Sequence, residues 1–576
     1  MKSLFQNISF KKLLQHSQRN HLQFSKSVQL QLVPQFQFTR FGSTEKKLQD
    51  FQKQLNGYIR KSNFNQMVMT QIKIIKTKEK HEKQEFYKDF QVDYRKLCQY
   101  LILKRDYEEA VTLYEDCISY LTDQLSKDKQ KDQNNDEDYQ YDVDFLLSEL
   151  ISFKLDLASV QLINPNKNGD EAFEIIEELK QYREQGQMSQ LQILKHILQE
   201  SKLYYQTSEL NESLNTILQA DKLVQQIKCQ DEGISFDFIS LQVEIYILQI
   251  KLQVELQQID LAQENMQKCE ILIEEKGLAD TLPQLCFQFY QASIDVCLYT
   301  ADFDLAQTRV LQMQQILENS EHTNSVFQSQ LYYYDSLVMN QIGKHFDSIQ
   351  SLNSCFEILS KSTDQQFELV WKALNLKAIQ LIEENDFKSA LKILYTNLQE
   401  MEKKKKAKTN LFYETQAHVI VLQFVLTNLH QATQLSEQYL KDVEKYLGQQ
   451  SQYYIDGLLI QGMCIISDNH ANDKQKTQGY IGIRQACMAI KNNKIKQLKI
   501  RFLYLNLLKE VLKRKNAFKE IFYVNTVLNS YFFQPRLNFQ QKNAEFIQAY
   551  EDNNKQLDLI SQILELQTVS KQAMNQ

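Results

Sequence analysis

The chain has 576 residues, a formal net charge of −6 and an isoelectric point near 6.0, which argues against nucleic-acid binding through a broad basic face. Its 12 Gly and 4 Pro are too few for the loops, sheet corners and phosphate-cradling turns that consume both. With 43% hydrophobic and 24% charged residues it has apolar material for a continuous core, so composition predicts long helices joined by short turns and excludes global disorder.

Residues 1–44 contain no Asp or Glu but carry Lys2, Lys11, Lys12, Arg19, Lys26 and Arg40. Around SLFQNISFKKLLQ, the apolar Leu4, Phe5, Ile8, Leu13 and Leu14 mix with Lys11 and Lys12 as in a short basic amphipathic helix. Basic, Ser-containing and acid-free is the composition of a mitochondrial transit peptide. Residues 1–42 are expected to be one, and Arg40, Phe41 and Gly42, just before the first acid, Glu45, form its expected cleavage region. The expected location is the mitochondrial matrix, with the cytoplasm as alternative. The apolar stretches of this extension are too short and broken for a membrane span, and no transmembrane segment is expected.

Residues 43–90 read as charged N-terminal helices. Beyond them one pattern recurs at helix starts: a large apolar residue, two variable positions, then a small or apolar one. It appears at Tyr107–Ala110, Leu210–Ser213, Ile259–Ala262, Phe303–Ala306, Phe346–Ile349, Phe387–Ala390 and Leu429–Ala432, with weaker copies at Ile483–Ala486 and Phe518–Ile521. From Ser213 to Ala432 the second landmarks are 49, 44, 43, 41 and 42 residues apart. Asp106, Asp302 and Asp386 stand where each would cap the second helix of a pair. The small residue lets two helices approach closely, and the aromatic before it fills the gap to the next pair.

KRDYEEAVTLYEDCI, residues 104–118, with Tyr94, Cys98 and Leu101 on the preceding helix, resembles the tetratricopeptide family, and the resemblance covers roughly residues 90–530. Most copies lack that family's Gly at the turn between helices, which Gly343 keeps, and its closing Pro. The long period is similar to the repeats of kinesin light chains and compatible with the helical arrays of proteasome-lid subunits. The resemblance implies an all-α fold, a right-handed superhelical α-solenoid of helix-turn-helix repeats. The first repeat is expected at 91–124, a flexible polar loop at 125–142 and the main array at 143–450. Divergent helical repeats follow at 451–535, interrupted by a second polar loop at 468–478, and a C-terminal capping helix at 536–576.

No chemistry-bearing motif emerges. The nine Cys are scattered without a CxxC pair and read as small core residues. His418 and His430 read as ordinary helix residues, and Gly479-Tyr480-Ile481-Gly482 lacks the length and the Lys of a phosphate loop. Pairs such as Glu108-Glu109 are adjacent in sequence and diverge on a helix, as solvated faces do. Lys403–Lys408 reads as a solvated loop, alternatively a localisation signal or a contact for an acidic partner or anionic lipid. Tyr332-Tyr333-Tyr334 fills a repeat interface or forms a recognition patch. No catalytic residue, cofactor, metal, nucleic acid or small-molecule ligand is expected.

The expected function is non-enzymatic: a mitochondrial scaffold or assembly factor that holds a partner helix or peptide in a concave groove. Alternatives are a cytosolic or cytoskeletal adaptor resembling kinesin light chain, and an enzyme with an unrecognised site in residues 450–576. In tetratricopeptide arrays the fifth position of each first helix faces the groove. Counting back twelve residues from Phe303, Phe346 and Phe387 gives Gln291, Tyr334 and Asn375 as the expected partner-binding row.

Overall fold

The computed structural model describes residues 42–533 apart from short stretches, the longest being 132–136, 320–324, 362–366 and 493–498. Every regular element among the described residues is an α-helix. The chain divides into two compact units, residues 1–245 with 318–323, and residues 246–317 with 324–576.

In unit 1 the helices are α1 (Gly42–Arg60), α2 (Phe64–His81), α3 (Phe86–Lys104), α4 (Tyr107–Lys131), α5 (Glu137–Ile163), α6 (Asp170–Glu184), α7 (Gln190–Gln206) and α8 (Leu210–Gln230). The next helix, α9 (Phe236–Glu255), begins in unit 1 and ends in unit 2. Unit 2 continues with α10 (Ile259–Glu275), a single turn α11 (Leu278–Thr281), α12 (Pro283–Thr300), α13 (Phe303–Glu318), α14 (Ser325–Gln341) and α15 (His345–Lys361). It goes on through α16 (Phe367–Glu383), α17 (Phe387–Lys403), α18 (Asn410–Val425), α19 (Leu429–Leu447), α20 (Gln452–Ser467), α21 (Asp473–Asn492), α22 (Lys499–Arg514) and α23 (Phe518–Phe533).

Sequence explains the boundaries. Asp302 Oδ1 accepts from the Leu305 amide at 3.1 Å, and Asp386 Oδ1 from the Ser389 amide at 3.1 Å, as expected of caps. Thr409 and Ser451 cap α18 and α20 in the same way. Pro283, whose missing amide costs nothing at a helix start, opens α12.

Two expected loops are shorter than the sequence suggests. Residues 125–142 are helical at both ends, since α4 continues to Lys131 and α5 begins at Glu137. Lys, Gln and Asp-rich sequence supports a solvated helix as readily as a loop. The second loop shrinks to 468–472, because Asn472 and Gln475 cap α21 reciprocally, each side chain accepting the other's amide at 2.9 Å. Arg40, Phe41 and the expected capping helix 536–576 lie outside the described residues; Gly42 is the first residue of α1.

Helices pair through residues twelve apart. Ser201 and Ser213, Ile250 and Ala262, Ile294 and Ala306, Ser336 and Ser348, Ala378 and Ala390, and Ile420 and Ala432 are all fully buried. In the two serine pairs each hydroxyl donates to the other residue's carbonyl at 2.7–2.9 Å, drawing the backbones together. Ser348, not Ile349, is therefore the small landmark of its pair, and Phe346 points into solvent, 79% exposed. With that correction Ala306, Ser348, Ala390 and Ala432 are evenly spaced by 42 residues.

The turn between paired helices needs a left-handed residue. Gly343 supplies it at φ 85°, whereas Gln257, Ala301 and Asn516 adopt φ of 62°, 54° and 54° with a side chain present. That conformation costs a non-glycine residue about 1–2 kcal/mol. Ala301→Gly should accordingly raise stability by about 0.5–1 kcal/mol in urea unfolding, net of glycine's extra chain entropy, and a loss would contradict the strain argument.

The eight cysteines whose side chains are described are buried and free. Burial pushes the thiols of Cys286, Cys355 and Cys487 up to about 12. Native protein near pH 8 should thus expose at most Cys229 to a thiol reagent, and all nine cysteines after denaturation. Two or more thiols reacting in the native state would contradict the burial.

Candidate functional site

First and second helices of the pairs in unit 2 carry different burial patterns. α18 buries residues on every side, including the run Ala417–Val425, whereas α19 buries the single stripe Ala432, Ser436, Tyr439 and Val443. Successive first helices α12, α14, α16, α18, α20 and α22 touch one another in turn. The first helices thus form the inner layer, and second helices such as α19 keep a solvated outer face.

This is a tetratricopeptide-like fold. No family model matches the chain, and no curated protein matches it. Among solved structures it is similar to a Rap protein complexed with competence and sporulation factor, at 12% identity and a TM-score of 0.46 over 66% of this chain and 97% of that chain. It is similar to NprR in complex with its cognate peptide NprX, at 14% identity and a TM-score of 0.42 over 66% of this chain and 98% of that one. Yeast Tom70 gives 12% identity and a TM-score of 0.32 over 75% of this chain and 99% of that chain. All three scores fall below one half, so the fold assignment rests on the helix pairs themselves.

The 42-residue period places Gln288, Gln330, Lys372, Glu414 and Asp456 at one position of α12, α14, α16, α18 and α20. Gln288 is exposed and the other four are half-buried, an accessible polar row on otherwise buried helices. One member, Glu414, acts electrostatically on the phenols of Tyr299, Tyr333, Tyr453 and Tyr504, which belong to four different first helices. Burial, aided by such carboxylates, raises all four phenols above their ordinary value, so they stay protonated at neutral pH. Burial opposes the charge of Lys372, but Glu368, 2.8 Å away, and the phenols of Tyr334 and Tyr333 outweigh it and hold the ammonium well above its usual range.

Side chains far apart in sequence meet across this layer. Tyr299 Oη donates to Gln452 Oε1 at 3.3 Å, joining α12 to α20. The Asn410 amide donates to the Glu255 carboxylate, joining α18 to α9. His418 Nδ1 bonds the Tyr504 hydroxyl, and Arg501 grips Asp456 with two bonds of 2.9 and 2.7 Å. These contacts gather phenols, amides and carboxylates on the inner layer of unit 2. Such a lining can hydrogen-bond a backbone and pair with charges. Among the described residues no group of His, Cys, Asp or Glu could hold a metal ion, and no helix is long and apolar enough to cross a membrane.

The three residues expected to bind a partner do not form one row. Gln291 is buried on α12. Asn375 is buried on α16, donates to Thr415 Oγ1 at 2.7 Å and accepts from Asn397 at 2.8 Å, stapling α16 to α18 and α17. Their counterpart on α14 is Tyr333, because the landmark of that pair begins at His345 rather than Phe346. Tyr334 lies half-buried beside it, the two rings edge-on at 5.3 Å. The polar row at Gln288 to Asp456 lies about one helical turn earlier than Gln291 and Asn375, and the even 42-residue spacing was the signal for it. Of the basic run, Lys404 lies 4.1 Å over the Phe367 ring, and residues 405–408 are outside the described residues.

Proposed function

We propose that the chain is a non-enzymatic scaffold or assembly factor of mitochondria that holds a peptide or helix of its partner against the first helices of unit 2. The observation that carries this reading is the accessible row Gln330, Lys372, Glu414 and Asp456 on helices otherwise packed on every side. Gln330 Oε1 is buried without a hydrogen-bond partner, a group a bound backbone would satisfy. The acid-free, basic segment 1–44 supports the mitochondrial part.

Two measurements test the proposal. Residues 1–44 fused to a fluorescent reporter should carry it into mitochondria and be removed near Phe41–Ser43. A reporter left uncleaved in the cytosol would favour the cytoskeletal adaptor. Lys372→Ala with Gln330→Leu should weaken partner capture about tenfold at an unchanged melting temperature, as truncating a central contact does. Undiminished capture would remove unit 2 as the docking site.

A further inference from the structure

We propose that residues 539–552 form one more first helix, which seats on α23 over Phe518 and Phe522 and closes that end of unit 2. The inference stands whether or not unit 2 docks a partner.

α23 is the last described second helix, and two of its apolar positions are uncovered. Ile259, Phe303 and Phe518 each stand two residues after a left-handed turn residue, Gln257, Ala301 and Asn516. Ile259 and Phe303 are 2% and 4% exposed, whereas Phe518 is 73% exposed. Four residues further on, Gln263 and Gln307 are half-buried, whereas Phe522 is 69% exposed. Phe518 and Phe522, four apart, lie on one face of α23 as an apolar pair open to solvent. Elsewhere the following first helix lies against the second helix before it. Gln423 of α18 donates to Tyr395 Oη of α17 at 2.7 Å, and Tyr439 of α19 donates to the Tyr453 carbonyl of α20 at 3.1 Å. A helix of the same kind after α23 would cover both rings.

The sequence supplies one. Pro535 disfavours a helical Gln534 and so ends α23. Asn538 with Gln541 three residues later is a capping-box pattern, which starts a helix at Phe539. Phe539, Phe546, Ile547 and Tyr550 then share one face, and Asn553-Asn554 suits the helix end. The connection 534–538 has five residues, between the four of 448–451 that join α19 to α20 and the six of 404–409 that join α17 to α18. Running back antiparallel at about 1.5 Å per residue, the helix brings Tyr550 level with Phe522. Glu551 and Asp552 then arrive beside Lys519 and the turn that holds Lys515. Charge fits there, because burial and the neighbouring Lys476 hold the Lys515 ammonium below its ordinary value, and an incoming carboxylate relieves both lysines. A second copy of the chain competes poorly for this seat, since five linking residues keep the tethered segment at high effective concentration.

Hydrogen exchange read by mass spectrometry on the full chain tests the proposal. Amides within 539–552 should exchange at least about tenfold slower than those of an unfolded chain. Phe518→Ser with Phe522→Ser should remove that protection and leave α22 protected, since neither ring is buried. Should this pair unfold α23, Lys519→Glu should lower the protection about twofold, and Asp552→Lys added to it should restore the loss. Amides of 539–552 that exchange freely in the unaltered chain, or protection that survives these substitutions, would overturn the proposal. Protection that rises with protein concentration would overturn it in favour of a second copy.

Discussion

Tyr439→Ala should destabilise unit 2 by about 3–5 kcal/mol, the cost of emptying a large buried aromatic site. Tyr439 is fully buried on α19, edge-on to Tyr413 with ring centres 6.1 Å apart. Its hydroxyl donates to the Tyr453 carbonyl at 3.1 Å, tying α19 to the start of α20. Glycine at 457 makes room for the ring, since a Cβ there would stand 2.9 Å from Tyr439 Cε1. No small movement of α20 can refill the space. Tyr439→Phe keeps the ring and should cost only about 1 kcal/mol for the lost bond. Urea unfolding of both variants separates the two effects. A loss below about 1 kcal/mol for the alanine variant would mean that the helix pair collapses onto the cavity.

Asp156→Ala should cost unit 1 about 2–4 kcal/mol. Asp156 is buried on α5 between Arg95 of α3, at 3.0 Å, and Lys195 of α7. Arg95 also bonds Glu149 at 2.9 Å and lies 4.7 Å over the Phe153 ring. Burial opposes the charge of Arg95, yet Asp156 and Glu149 together hold its guanidinium above the ordinary value. Removing Asp156 leaves two cations facing each other without their shared counter-charge. The expected loss is less than that of a wholly buried pair, because the side chains of Arg95 and Lys195 keep 24% and 29% exposure. Asp156→Leu with Arg95→Met should recover part of it, since an apolar pair needs no counter-charge. A double variant as unstable as the sum of the single ones would show that the two side chains act independently.

Much of this architecture is legible in the residues. Scarce Gly and Pro foretell long helices, and Asp302 and Asp386 cap where they are expected to. The features that the residues do not disclose have definite physical causes. Phe346 looked like the aromatic of its landmark, but the small residue sets the register, and Ser348 fits where Ile349 would be too large. That slip displaced the middle member of the expected partner row from Tyr333 to Tyr334. Gly479 belongs to a GYIG run that lacks the length and the Lys of a phosphate loop, and its role is close packing. A Cβ on Gly462 would stand 2.9 Å from the Gly479 carbonyl and 2.6 Å from Ile483 Cγ1, so α20 and α21 meet almost backbone to backbone. The interior of unit 2 was beyond reach for another reason. Its decisive contacts, Tyr299 with Gln452 and Asn410 with Glu255, join residues 153 and 155 apart, and no local pattern encodes such a meeting.

The central claim is that partners dock on the first helices of unit 2 and not on its outer face. A photo-crosslinking amino acid placed at Lys372, on the inner row, or at Phe346, on the outer surface, decides between them. The protein should become covalently joined to its partner from position 372 and not from position 346. Crosslinking from position 346 alone would contradict the account.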